Sequence, residues 1–332
     1  MKTTDIVILT YKPGKSFFKQ IKALEEQSIA PNRIIIMNTE EKYLEGLLFG
    51  TDFGEKYKNV DIYHLSKREF NHGKTRNLAA AKSNADYIIF MTQDAMPVDD
   101  RLIENLLKAM EEDERVAVSY ARQLPADNAG AIEKFNRLFN YPAEDRLQKD
   151  EDLPEKGIKT YFCSDVCACY RKDIFEKSGG FLNRVVFNED MIYACKVINA
   201  GYYISYRAEA KVIHSHNYTA KQQLKRNFDL GASQYDHPEV FAGLSSENEG
   251  KKLVTGCVAY LLKKGKFYLI PKFILHCAAR LTGYILGKNY RKLSKKLIWK
   301  LTANRGYWRH FWDMTNIPED VHAGYGKNAE GL

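Results

Sequence analysis

The first 120 residues alternate between two hydrophobic periods. Runs of almost unbroken apolar character, DIVILT (5–10), RIIIMN (33–38), VDIYHL (60–65), DYIIFMT (86–92) and RVAVSYA (115–121), read as strands. Helical patterns separate them. SFFKQIKALEEQ (16–27) puts Phe17, Ile21 and Leu24 on one face, KTRNLAAAKSN (74–84) is rich in alanine, and DRLIENLLKAMEE (100–112) keeps Leu102, Leu106 and Met110 in register. A strand that is apolar at successive positions has both faces buried. The alternation therefore predicts an α/β fold with a mostly parallel central sheet and helices on both faces. Ligands of such sheets bind beyond the carboxyl ends of the strands. Residues 10–13, 38–41, 66–73 and 92–97 are the segments placed there.

Past residue 124 the pattern loosens. A loop with a helix near 130–140 leads to the strand-like YFCSDVCACYR (161–171), then to NEDMIYACKVINAG (188–201), a helix that Gly201 stops. YYISYR and AKVIHSH are short strands, and from about 219 the chain is mainly helical. An α/β domain over 1–235 and a basic, mainly helical region over 236–332 are expected. The six cysteines show no paired metal-ligand spacing and are expected to be reduced, mostly core thiols. The opening MKTTDIVILTYKP has too short an apolar run for a secretory signal.

Charge is unevenly placed. The net charge is +8, yet residues 251–310 hold 15 Lys and Arg and no Asp or Glu, so the remainder is acidic. A basic end of this kind implies an anionic partner, a membrane surface or a nucleic acid. No recognised nucleic-acid motif accompanies it. The weakly charged stretch 273–287 has 15 residues and includes Arg280, short of the ~20 that span a bilayer. In NYRKLSKKLIWKLT (289–302), Tyr290, Leu293, Leu297 and Leu301 share a face while Arg291, Lys292, Lys295, Lys296 and Lys300 crowd the rest. That pattern fits an interfacial helix on anionic lipid, the alternative being a basic surface helix packed on the catalytic domain or a second subunit.

Four polar clusters carry chemistry. FNHGKTRN (70–77) places Lys74 and Arg76 in a first helical turn, where an anion such as a diphosphate is favoured, and Gly73 permits close approach; the alternative is a solvated basic helix start. MTQDAMP (91–97) ends a buried strand with Asp94, which suits a divalent cation beside a diphosphate or, more plainly, a helix cap. FNEDMIYA (187–194) puts Glu189 and Asp190 at a helix start, either complementing the dipole or supplying a general base. VIHSHNYT (212–219) sets His214 and His216 on one side of an extended segment, and imidazole beside a carboxylate favours Mn²⁺ over Mg²⁺.

Taken with the opening VILTYKP and with QQLKRNFDLG (222–231), these motifs resemble the family 2 glycosyltransferases of the GT-A fold, in particular the bacterial rhamnosyltransferase-like branch. The resemblance covers residues 1–235. It implies an inverting, metal-dependent enzyme with a nucleotide-diphosphate-sugar donor, Mn²⁺ or Mg²⁺ as cofactor, and a saccharide, often lipid-linked, as acceptor. By it, Thr10, Tyr11 and Lys12 line the nucleoside pocket. Asn38 stands where many members carry an Asp that reads the base, and an amide oxygen can also accept from N3–H. His72, Lys74, Arg76 and Gln93 sit on the donor side. Asp94 is the metal aspartate, Gln93-Asp94-Ala95 having one acid where the family has DxD. His216 is the second ligand, with His214 the alternate. Asp190 is the catalytic base, with Asp165 and Glu189 on the acceptor side. Arg226 matches the arginine of a QxxRW-like element in which Asn227 replaces Trp, favouring single addition over processive synthesis. The implied donor is dTDP-β-L-rhamnose, giving an α-L-rhamnoside in cell-surface polysaccharide synthesis, or another UDP- or dTDP-sugar. The implied location is cytoplasmic, peripheral at the inner face of the cell membrane, with oligomerisation through the C-terminal region an open alternative. Two competing classes are a sugar nucleotidyltransferase, whose glycine-rich signature TYKPGKSFF matches poorly, and a non-catalytic membrane-surface scaffold, against which intact Asp94, Asp190 and His216 argue.

Overall fold

The computed structural model describes residues 2–244 and 247–315. Strands β1 (Thr4–Tyr11), β2 (Arg33–Thr39), β3 (Val60–Leu65) and β4 (Tyr87–Thr92) alternate with helices α1 (Ser16–Glu25), α2 (Glu41–Leu48), α3 (Phe53–Lys56) and α4 (His72–Ala80). These strands pair in parallel in the order β3-β2-β1-β4. Burial on both faces accounts for their apolar runs. Val7, Ile35, Ile88 and Phe90 enter one core, while Ile6, Ile8, Ile34, Ile36 and Ile89 enter the other.

Beyond β4 the sheet becomes mixed. There follow β5 (Met96–Pro97), α5 (Leu102–Glu112), β6 (Val116–Leu124), α6 (Ala131–Asn140), β7 (Arg146–Gln148), α7 (Leu153–Lys156), β8 (Cys167–Arg171), α8 (Lys172–Lys177), α9 (Glu189–Asn199) and β9 (Tyr203–Ile213). Strand β8 slots between β4 and β6, antiparallel to both, whereas β6 and β9 are parallel. The parallel arrangement expected from the alternation thus covers the first half, and a reversed strand is inserted in the second. The reversal matters for function. The beginning of β8 lies where β4 ends, with Cys167 opposite Met91. Side chains just before β8 therefore reach the same edge as those just after β1, β4, β6 and β9.

The rest is helical: α10 (Ala220–Asp236), α11 (Pro238–Phe241), α12 (Glu247–Lys263), α13 (Ile270–Lys288), α14 (Lys295–Leu301) and α15 (Arg305–Thr315). Residues 316–332 of the expected C-terminal region lie outside the described residues. The helices share their core with the α/β part. Phe228 and Ala232 pack with Tyr290, Ile298 and Trp308, and Ala131 and Ile132 pack with Cys257, Leu261 and Phe273. Buried Asp229 accepts from Thr302 Oγ1 (2.6 Å), Ala303 N (2.8 Å), Asn304 N (3.1 Å) and Trp308 Nε1 (3.3 Å). Helices α10 and α13 meet backbone to backbone. A Cβ on Gly231, Gly283 or Gly287 would stand 2.4, 2.2 or 2.1 Å from a carbonyl oxygen of the facing helix, so the seam admits only glycine.

Two expectations for this region change. Residues 290–301 do not form one helix, because Ser294 starts α14 afresh by capping Leu297 N. Tyr290, Leu293 and Leu301 turn inward around Trp308, so the expected interfacial stripe is core and Leu297 alone of the four is exposed. The apolar helix is also longer than the charge pattern implied. Phe267–Lys288 runs 22 residues, enough to cross a membrane by length and composition alone. Five of the six cysteines are buried and all six are free, as expected of core thiols.

Candidate active site

The segment FNHGKTRN folds as a capped helix start whose polar groups mostly point inward. Asn71 is the N-cap of α4, its side-chain oxygen accepting from Gly73 N (3.1 Å) and Lys74 N (3.4 Å). Those N–H groups, which the sequence made available to an anion, already have a partner. Gly73 packs against Leu182, where a Cβ would stand 2.1 Å from the carbonyl oxygen. Asn77 grips Phe181 twice, donating to its carbonyl (2.8 Å) and accepting from its N–H (3.0 Å). Arg76 is 4% exposed, with Nη1 2.7 Å from Glu189 Oε1 and Nε 3.3 Å from Asp165 Oδ2. Lys74 lies away from this pair, lining a groove with Asn77, Leu78 and Gly180. His72 is exposed, its ring 4.9 Å from that of Phe70. Of the residues expected to cradle a diphosphate, Arg76 is thus engaged with buried carboxylates, while Lys74 and His72 stay exposed.

Three carboxyl groups surround that one guanidinium. Asp165 comes from the loop before β8, and Glu189 and Asp190 open α9. Asp190 accepts from Met191 N (2.8 Å) and Asp165 N (3.4 Å), and Tyr170 Oη donates to Asp165 at 2.5 Å. Burial, then the charges of Asp165 and Glu189, push Asp190 well above the usual carboxylate range. Burial raises Asp165 to about 6 against the pull of Arg76. Glu189 goes the other way: burial raises it, but His72 and Arg76 lower it more. The Asp190 side chain nonetheless keeps some contact with solvent, so it is reachable.

A second cluster forms where β4 and β9 end. Gln20 steadies the turn carrying Asp94 by donating to the carbonyls of Thr92 (2.8 Å) and Ala95 (2.7 Å). Gln93 ties this turn to β1, accepting from Tyr11 N (2.9 Å) and donating to Tyr11 O (3.0 Å). His214 Nε2 and His216 Nε2 stand 3.5 and 3.2 Å from the Asp94 carboxylate oxygens and 3.0 Å from each other. One donor atom from each of the three lies within 4.8 Å of the others. Both histidines, not one, join Asp94. Burial raises Asp94, but its bonds with His214 and His216 outweigh that and hold it well below the usual range. Gln123 Oε1 is 2.9 Å from His214 Nδ1. A shift of the proton to Nδ1, donated to Gln123, would free the Nε2 lone pair for a cation in place of the hydrogen bond to Asp94. A carboxylate and two ring nitrogens converging as acceptors fit a divalent cation with mixed oxygen and nitrogen ligation.

Gln123 joins the clusters. Its Nε2 donates to Tyr141 Oη (2.7 Å) and to Ser164 Oγ (2.8 Å), next to Asp165. Its place near the carboxyl end of β6 is the one sequence signal that points to it. Other expected residues have varied surroundings. Thr10 Oγ1 donates to Asn38 Oδ1 (3.0 Å), and the Asn38 amide nitrogen meets Glu40 O (3.3 Å) and His64 Nδ1 (3.0 Å). Asn38 is wholly buried, so the amide assigned to the base has protein partners instead. Tyr11 is exposed, and the Lys12 ammonium lies 5.5 Å from its ring centre and 4.9 Å from that of Tyr43. Arg226 is sandwiched between Phe187 (5.2 Å) and Tyr218 (4.9 Å), with no carboxylate partner among the described residues. Lys12, Glu40 and Asn188, the non-glycine residues with positive φ among those described (51°, 65° and 68°), all lie in loops of this edge.

The mixed sheet, with the Asp94–His214–His216 cluster and the raised Asp190 at one edge, has the architecture of the GT-A glycosyltransferase fold. The mannosyltransferase PcManGT from Pyrobaculum calidifontis, solved in complex with GDP-Man and Mn²⁺, superposes with a TM-score of 0.60 at 11% identity, covering 86% of this chain and 87% of that one. The family model for glycosyl transferase family 2 matches residues 5–179. The O-antigen chain rhamnosyltransferase RfbN of Salmonella typhimurium is 36% identical over 314 residues, 93% of this chain and 97% of the relative. WbaN of Salmonella anatum, also an O-antigen chain rhamnosyltransferase, is 34% identical over 315 residues with the same coverage. The chain belongs to glycosyl transferase family 2 and is a glycosyltransferase.

Proposed function

We propose that the protein transfers L-rhamnose from dTDP-β-L-rhamnose, with inversion, to a hydroxyl of a lipid-linked saccharide during synthesis of an O-antigen-type cell-surface polysaccharide, working from the cytoplasmic side of the membrane. One observation carries the chemistry: the Asp94–His214–His216 triad and the raised Asp190 share one sheet edge and are linked through Gln123. The donor sugar is supported by two near-full-length relatives named for rhamnosyl transfer.

Asp94, His214 and His216 would hold a divalent cation, which would neutralise charge on the leaving diphosphate, the nitrogen ligands favouring Mn²⁺. The guanidinium of Arg226 meets the same diphosphate, pre-oriented by the two rings that flank it. Tyr11, Lys12 and Tyr43 border the nucleoside. The Asp190 carboxylate takes the proton of the acceptor hydroxyl as that oxygen bonds to the anomeric carbon from the face opposite the diphosphate. The bond from that carbon to the diphosphate oxygen breaks in the same displacement, and the nucleoside diphosphate departs. One displacement turns the β-linked donor into an α-L-rhamnoside. A pKa above the usual carboxylate range brings the base nearer to working pH. Arg76 acts through Asp165 and Glu189 and is a positioning residue.

The test is a panel of nucleotide sugars with Mn²⁺, following nucleoside diphosphate release. dTDP-β-L-rhamnose should give the fastest release, and Asp190→Asn should bind donor while losing about 10²–10⁴ in kcat. A faster alternative donor would overturn the sugar assignment. Near-normal turnover by Asp190→Asn would move the base elsewhere, and pyrophosphate formed from a nucleoside triphosphate and a sugar 1-phosphate would overturn the reaction class.

A further inference from the structure

The α12–α13 hairpin carries a row of apolar side chains that the fold leaves uncovered. Leu262, Phe267 and Tyr268 sit at its tip, and Ile274, Leu275, Leu281 and Ile285 run along one face of α13, each between 51% and 65% exposed. Gly283 and Gly287, which seat α13 on α10, lie on the opposite face. No charged residue interrupts the apolar row. Lys263, Lys264 and Lys266 crowd the tip, all exposed, within a 60-residue stretch (251–310) that has no Asp or Glu. An apolar patch of this extent is not an ordinary feature of a free surface.

We propose that this face is where the protein seats on an anionic lipid bilayer, with Phe267, Tyr268 and Leu262 entering the headgroup layer and α13 lying in the membrane plane. Three observations select this occupant and pose. Exposed apolar side chains beside lysines match an anionic interface. A second copy of the chain is a poorer partner, since residues 251–310 offer no carboxylate to meet the other copy's lysines. And although Phe267–Lys288 is long enough to cross a bilayer, its other face is bound to polar groups. Arg280 Nε donates to Gln223 (3.1 Å), Tyr284 Oη donates to Gln234 (2.9 Å), and the glycine seam joins α13 to the helix that carries Arg226 and Asp229. Crossing would drag α10 into hydrocarbon, whereas lying flat costs nothing of that contact.

The pose has a use, which rests on the lipid-linked acceptor proposed above. Lys272 and His276 of α13 line a cavity together with His216 and Tyr218. The same helix thus faces the bilayer on one side and the neighbourhood of the Asp94 triad on the other. The separation is about one helix diameter, roughly 10 Å, a distance an acceptor sugar spans while its lipid stays in the membrane.

The test is flotation of the full chain with vesicles rich in phosphatidylglycerol and with pure phosphatidylcholine vesicles. Wild type should float with the anionic vesicles, less as salt rises. Phe267→Ser/Tyr268→Ser and Leu275→Gln/Leu281→Gln should each weaken binding at least about tenfold, and a triple Gln replacement of Lys263, Lys264 and Lys266 should abolish the preference for anionic lipid. Phe49→Ser, an exposed aromatic in the loop after α2, serves as the control and should float like wild type. Nucleoside diphosphate release with a soluble saccharide acceptor should be unchanged in all of these. That readout separates this inference from the assignment of activity: loss of floating with intact transfer supports the docking face. Absence of wild-type binding to anionic vesicles would overturn the proposal, as would unaltered floating of both apolar variants. So would a wild-type dimer that Leu275→Gln/Leu281→Gln converts to monomer, since the face would then be a subunit contact.

Discussion

Replacing Arg76 by methionine separates two uses of a buried arginine that begin from the same sequence motif. As a diphosphate ligand, Arg76 would be dispensable for folding, and its loss would weaken donor binding. As the structure has it, Arg76 is the one guanidinium among Asp165, Glu189 and Asp190, at 2.7 Å from Glu189 and 3.3 Å from Asp165. Removing one partner of a buried ion pair costs about 3–5 kcal/mol, because the remaining charges stay desolvated. With an unfolding entropy near 2.1 cal/mol/K per residue, such a loss lowers Tm by roughly 4–7 °C for a chain of 332 residues. The deficit should depend on pH. Asp165 already titrates at about 6, and Asp190 is raised as well. At pH ~4.5 these groups are protonated in the folded variant and the uncompensated charge largely disappears. Thermal melts of wild type and Arg76→Met at pH ~4.5 and ~7.5, with titration of dTDP at the higher pH, make the assay. A large Tm difference at ~7.5 that shrinks at ~4.5 is expected. An unchanged Tm accompanied by lost dTDP affinity would refute the carboxylate-holding role and return Arg76 to the donor.

Two further outcomes follow from the same geometry. Asp94→Ala should reduce Mn²⁺ affinity by at least tenfold in isothermal titration while leaving Tm within about 2 °C, since the side chain is 44% exposed; unchanged Mn²⁺ binding would remove Asp94 from the cation site. Asp165→Asn should destabilise more at pH ~4 than at pH ~7: a carboxyl raised to about 6 contributes stability that is present below its unfolded pKa and is lost as pH rises through 6, a loss of about 2–3 kcal/mol that asparagine does not suffer. Equal effects at both pH values in urea titrations would show that Asp165 is ionised throughout.

What could be read beforehand follows a physical division. Strands β1 to β4 and their helices were legible because burial on both faces writes a continuous apolar run into local sequence. Asp94, His214 and His216 were legible because each follows directly on such a run. The reversal of β8 was not, since YFCSDVCACYR has the same pattern in either direction, and with it went the reason Asp165 stands beside Asp190. The partners of Arg76 lie 89 and 113 residues away along the chain, so no window around FNHGKTRN contains them. The stripe of Tyr290, Leu293 and Leu301 was read correctly as apolar and misplaced as outward-facing, because periodicity gives a face but not what covers it. Trp308, which does cover it, comes later in the chain.

The positive φ angles of Lys12 and Glu40 bear on how this protein could be altered. Neither side chain suits that backbone region, and such positions typically store of order 1–3 kcal/mol of strain. Glycine would relieve it, so a search for thermotolerant variants should find these two loops early. Yet Lys12 is the ammonium between Tyr11 and Tyr43, and Glu40 both accepts from Lys67 N (2.7 Å) and takes a hydrogen bond from Asn38 on its carbonyl. On the donor site proposed above, robustness gained at Lys12 would come by loosening the rim assigned to the nucleoside, setting tolerance to heat against grip on donor at that residue.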